Sequence, residues 1–170
     1  MSALVHGHLS VSRRNQEQEL SRLLRLIGLP GVRAPELLRD YCQVHGSFRG
    51  VSCKVVCMEN PDLMRSVSIV LPLASPTTLR LKLQNTESVR LGLAITQVGV
   101  DADKQRETVD PRLLRPDEMA ELMQLGVPFV LTLLEDQLTM TVYGIYQAGF
   151  YESLMELLCR IRGRTADLSS

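Results

Sequence analysis

The chain has 170 residues, 45% hydrophobic and 22% charged, with mean hydropathy +0.03, enough apolar material for one packed domain and too much for a disordered chain. Nineteen basic residues balance nineteen acidic ones, so no net charge draws the whole molecule to nucleic acid or an anionic membrane, and four Tyr and three Phe without a Trp leave little for base stacking. No apolar run approaches the roughly 20 residues of a membrane span, and the N-terminus, with His6 and His8, lacks a signal-peptide core, so an intracellular, cytoplasmic protein is expected.

Residues 1–13 carry no hydrophobic period and are expected to be a flexible leader. Leu20, Leu23, Leu24 and Ile27 then recur at i, i+3, i+4, i+7, which predicts an amphipathic helix over 14–28 with Arg22 and Arg25 outside the stripe. Gly28, Pro30 and Gly31 end it. Pro35 suits the first turn of a second helix through Leu37, Leu38 and Tyr41, ending near His45-Gly46.

Beyond Gly46 the period becomes two. Val51, Cys53, Val55 and Cys57 alternate with polar residues, as do Val67, Ile69 and Leu71, then Leu79, Leu81 and Leu83, then Val89, Leu91, Leu93 and Ile95. Short links between such runs join antiparallel neighbours, so 48–98 is expected to form a four-stranded meander with one apolar face. Residues 99–115 are aperiodic and rich in Asp, which predicts a loop. Pro116, Asp117 and Glu118 open a helix with acids at its positive end. Phe129–Leu134 and Leu138–Ile145 flank Glu135-Asp136-Gln137 as a hairpin with apolar residues on both faces, expected to complete or extend the sheet and to be the better buried one. Leu154, Leu157, Leu158 and Ile161 mark a last helix over 150–163, and 165–170 is expected to be a flexible tail. The domain thus spans 14–164.

Total neutrality hides an asymmetry. Residues 1–58 hold eight basic against four acidic residues, whereas 99–136 hold four against nine. Such patches are ordinarily solvated surface, and they also fit self-association of basic and acidic faces as a salt-sensitive homodimer.

The residues with chemical potential are few. Four cysteines in a chain without an export signal are expected as reduced thiols. Cys42, His45, Cys53 and Cys57 are nominally a Cys3His metal set, but Cys53 and Cys57 lie four apart on a predicted strand, roughly 13 Å at Cα, too far for one zinc ion. Cys42 and His45, at i, i+3 on the predicted helix, are a candidate nucleophile and base beside the Asp-rich loop 99–115. Asp101, Asp103, Glu107 and Asp110 miss the EF-hand pattern at its third ligand and lack its glycine. No G-x-S-x-G, Walker A or dinucleotide fingerprint occurs, so no cofactor is expected. Most of the seven methionines are expected in the core.

Leu26-Ile27-Gly28-Leu29-Pro30 at the close of the first helix, together with the terminal amphipathic helix, resembles class I type III secretion chaperones, small dimeric proteins that hold a secreted partner. The stretch from Gly46-Ser47-Phe48-Arg49-Gly50-Val51 to the final helix is similar to uncharacterised bacterial α+β domains, a likeness that implies no activity. The expected fold is α+β: an antiparallel meander plus a hairpin, with N- and C-terminal amphipathic helices packed on one face. The expected function is a non-catalytic interaction module, an adaptor or chaperone-like protein, binding a protein partner through a sheet edge or through the helix face of Leu20, Leu24, Ile27, Arg22 and Arg25. The alternative is a small enzyme or ligand-binding protein built on Cys42 and His45.

Overall fold

A computed structural model describes residues 11–59, 65–77, 81–85, 98–100 and 112–168. Val11, at the end of the expected leader, donates its backbone N–H to the Ile145 carbonyl at 2.6 Å. Helix α1 spans Arg13–Leu26 and buries Leu20, Leu23, Leu24 and Ile27 as the stripe requires. Its end is a Schellman turn: Leu29 N–H reaches Leu24 O at 2.8 Å, Gly28 N–H reaches Arg25 O at 3.1 Å, and Gly28 takes φ +78°.

The second helix differs from expectation. Helix α2 is one turn, Ala34–Leu37, and strand β1 begins at Tyr41 and runs to Phe48. Cys42, Val44 and Phe48 alternate with Gln43, His45 and Ser47, and this alternation lets the segment pair along its whole length with β2, Val51–Glu59, an arrangement that burying one helical stripe would forfeit. Arg49 and Gly50, with φ 48° and 80°, make the two-residue turn that suits the twist of such a hairpin.

Strands β3 (Arg65–Pro72), β4 (Leu81–Asn85) and β5 (Val98–Val100), helix α3 (Pro116–Gln124), strands β6 (Phe129–Leu134) and β7 (Gln137–Tyr143), and helix α4 (Ala148–Leu168) complete the described elements. The α+β class is as expected: one antiparallel sheet, with α1 and α4 contributing to the core on one of its faces. Its strand order is β1-β2-β3-β7-β6-β4-β5, so the β6–β7 hairpin enters between the third and fourth strands instead of extending an edge. After β3 the chain turns over that hairpin's tip, Leu73 N–H bonding Asp136 O at 2.7 Å and Thr77 N–H bonding Glu135 O at 2.6 Å. The hairpin thereby gains a central position and buries Phe129, Leu131, Leu133, Leu138, Met140 and Val142 on the core side, whereas its other face, expected to be as well buried, is half-buried and Leu134 is exposed. The strand expected over Val89–Ile95 lies outside the described residues.

The core-facing rows include Cys53, Val55 and Cys57 of β2, Val67, Ile69 and Leu71 of β3, and Leu138, Met140 and Val142 of β7. Tyr151, Leu154, Met155, Leu158 and Ile161 of α4 pack in the same cluster. The opposite face is rich in hydroxyls, with Ser68 and Thr141 side chains 2.7 Å apart across β3 and β7. The tail expected from 165 is helical to Leu168, because Thr165 is buried with its hydroxyl donating to Arg162 O at 2.6 Å and Arg164 pairs with Glu118.

Candidate interaction edge

Among the described residues, strand β1 is one border of the sheet, with β2 as its single strand neighbour. Backbone groups of alternate residues point to opposite sides of an antiparallel strand. Glu59 N–H bonds Asp40 O at 3.0 Å, so the even-numbered residues of this segment address β2. Ser47 N–H bonds Ile27 O at 3.0 Å on the other side, so the odd-numbered residues address the border. Among the described residues, that contact is the one backbone hydrogen bond on the outer side of β1. The end of α1 therefore closes the border at Gly46-Ser47 and leaves the N–H and C=O groups of Gln43 and His45 facing outward.

The side chains do not guard this border. From Tyr41 to Phe48 there is no Lys, Arg, Asp, Glu or Pro, the residues that ordinarily protect an edge strand from pairing. Tyr41 is 58% exposed and Met58, its register partner on β2, is 46% exposed, so an apolar pair stands at the open end. The Tyr41 hydroxyl donates to Gln43 Oε1 at 3.1 Å.

The residues singled out from the sequence are placed otherwise than expected. Leu20, Leu24 and Ile27 are at most 1% exposed, so the apolar stripe of α1 is consumed by the core and offers a partner nothing. Arg22 pairs with Glu19 at 2.8 Å, and Arg25 is exposed. Cys42 and His45 are three apart on a strand, not a helix, which turns them to opposite faces: Cys42 is half-buried on the core side and His45 is exposed. The proposed nucleophile and base are thus not brought together. Burial pushes Cys57 up to about 12, with the neighbouring Cys42 adding to the rise, and burial also raises Cys53 and Cys159, the opposite of an activated thiol.

Most of the loop expected over 99–115 lies outside the described residues. Residues 99–100 belong to β5, Leu113 and Leu114 are buried, and Asp101, Asp103, Glu107 and Asp110 lie outside the described residues. Among the described residues, no group of three or more His, Cys, Asp or Glu side chains is placed to share a metal ion, and no helix is long and apolar enough to cross a membrane. The border strand stands where the sequence predicts the end of a helix, because Cys42, Val44 and Phe48 alternate with polar residues over too short a run to exclude one. No family model, curated protein or solved structure matches the chain.

Proposed function

We propose that the protein is a non-catalytic interaction module that takes an extended segment of a partner protein as an added strand along β1, in the manner of an adaptor or a chaperone. The supporting observation is the unguarded border at Tyr41–His45, where outward backbone groups meet no partner among the described residues and no charge opposes pairing. Main-chain hydrogen bonds would supply affinity there, while Tyr41 and Met58 on one face and Cys42 and Val44 on the other would sort the incoming side chains. The separation of Cys42 from His45 weighs against the enzyme alternative. Four free cysteines suit a reducing, cytoplasmic setting.

The test uses Gln43→Pro. The Gln43 N–H points outward, so proline there removes a docking hydrogen bond without removing one from the β1–β2 ladder. Peptides selected from a random library against the intact protein should slow amide exchange over residues 41–45 and lose binding to the variant, whose circular dichroism stays unchanged. Selected binders indifferent to Gln43→Pro would overturn the proposal. Sedimentation at low and high salt separates a second copy of the chain from a foreign partner as the occupant.

A further inference from the structure

Strands β1 and β2 set Cys42 directly opposite Cys57, both on the core side of the sheet. The pair two residues along, Asp40 and Glu59, exchanges a backbone hydrogen bond, so Cys42 and Cys57 also form a hydrogen-bonded pair, whose Cα atoms stand about 5.5 Å apart. Disulfides span Cα separations of roughly 4.4–6.8 Å and Cβ separations of roughly 3.5–4.5 Å; the Cβ atoms of a hydrogen-bonded pair stand toward roughly 5.5 Å, so closing the bond draws the border strand inward by about 1 Å. Cys57 is nearly enclosed, while Cys42, on the border strand, is half-buried and within reach of a solute. The other inward cysteine of β2, Cys53, faces Gly46 across the ladder, and the thiol that acts on it, Cys159, sits on α4.

We propose that Cys42 and Cys57 form a reversible dithiol–disulfide couple, oxidised by a small-molecule disulfide such as glutathione disulfide, that fastens the border strand to its neighbour. The Cys42 thiolate attacks one sulfur of glutathione disulfide, that bond breaks, and one glutathione thiolate leaves. Cys57 then gives its proton to water and attacks the Cys42 sulfur, and the second glutathione thiolate leaves. Two protein thiols are oxidised and one glutathione disulfide is reduced to two thiols. Burial keeps the proton on Cys57 up to about pH 12, so the second step quickens as pH rises toward that value.

The consequence follows from position. A strand with one neighbour opens more readily than a central one, and a cross-link to β2 denies it that opening. The couple stands on register alone; its use as a control on partner docking rests on the function proposed above.

The full chain is incubated with glutathione disulfide under native conditions and its cysteines are mapped by peptide mass spectrometry. A Cys42–Cys57 bridge, reversed by dithiothreitol and retained in Cys53→Ser and Cys159→Ser, is expected. Cys57→Ser should stop at a glutathione adduct on Cys42, and amide exchange over residues 41–48 should slow in the oxidised wild type. A native-state bridge that maps to Cys53 and Cys159, or no bridge in protein that keeps its native circular dichroism, overturns the couple. A bridge that forms while the selected peptides bind oxidised and reduced protein alike leaves the couple standing and removes its regulatory role.

Discussion

The Glu19 carboxylate in α1 accepts a hydrogen bond at 2.8 Å from the backbone N–H of Ala148, the first residue of α4. Glu19 is buried, yet it meets an orphan donor at a helix start, where the helix dipole favours negative charge, and it also pairs with Arg22. One side chain thus joins the two long helices that cover the sheet.

Glu19→Ala leaves the Ala148 N–H and the Arg22 guanidinium without that acceptor. A loss of about 2 kcal/mol is expected in urea unfolding, because the hydrogen bond is charge-assisted. Glu19→Gln keeps an acceptor oxygen and should lose less. Equal losses for the two variants would mean that the negative charge, which both lack, and not the acceptor oxygen, matters at this position.

Glycines separate into two kinds by what surrounds them. A Cβ on Gly46 would run into the Ile27 carbonyl oxygen and stand 3.0 Å from Ile27 Cβ. That carbonyl is backbone, held by Ser47 N–H, and has nowhere to go. Gly46→Ala should cost about 1–3 kcal/mol in thermal or urea unfolding. Gly163, exposed within α4 and open on the side a Cβ would occupy, should respond oppositely, Gly163→Ala stabilising by about 0.5–1 kcal/mol.

Arg164 and Glu118 join α4 to α3. The Arg164 guanidinium takes both oxygens of the buried Glu118 carboxylate, one at 2.6 Å, and Glu118 also accepts from Arg115 N–H at 3.1 Å. Removing either partner alone strands the other, and Arg164→Ala should cost about 3 kcal/mol. The double variant Glu118→Gln with Arg164→Met should lose less than the worse single variant in the same unfolding assay.

Alkaline conditions should weaken the fold. Cys57 keeps its proton to about pH 12 when folded, while an unfolded thiol releases it near 9.0. Its contribution is therefore fully present below pH 9 and is lost as pH rises toward 12, at up to about 1.4 kcal/mol per pH unit. Cys53, Cys159 and Tyr151 are raised by burial and act in the same direction. Urea midpoints should fall steadily from about pH 9 to 11, and Cys57→Ala should lessen the slope.

Local pattern by itself determined the terminal helices, the register of apolar rows in β2, β3, β6 and β7, and the α+β class, because burial of one face imposes a period that neighbouring residues display. The stop of α1 at Gly28 was equally plain, since glycine's freedom at positive φ is a property of one residue. Tertiary structure alone decided that Tyr41–Phe48 joins the sheet, that β6 and β7 stand between β3 and β4, and that the stripe of Leu20, Leu24 and Ile27 is covered. A segment such as Tyr41–Phe48 has apolar residues that fit a short helix as well as a strand, and the choice falls to eight backbone pairings with β2 that no local window contains. The opposed placement of Cys42 and Cys57, like the parting of Cys42 from His45, follows from that choice.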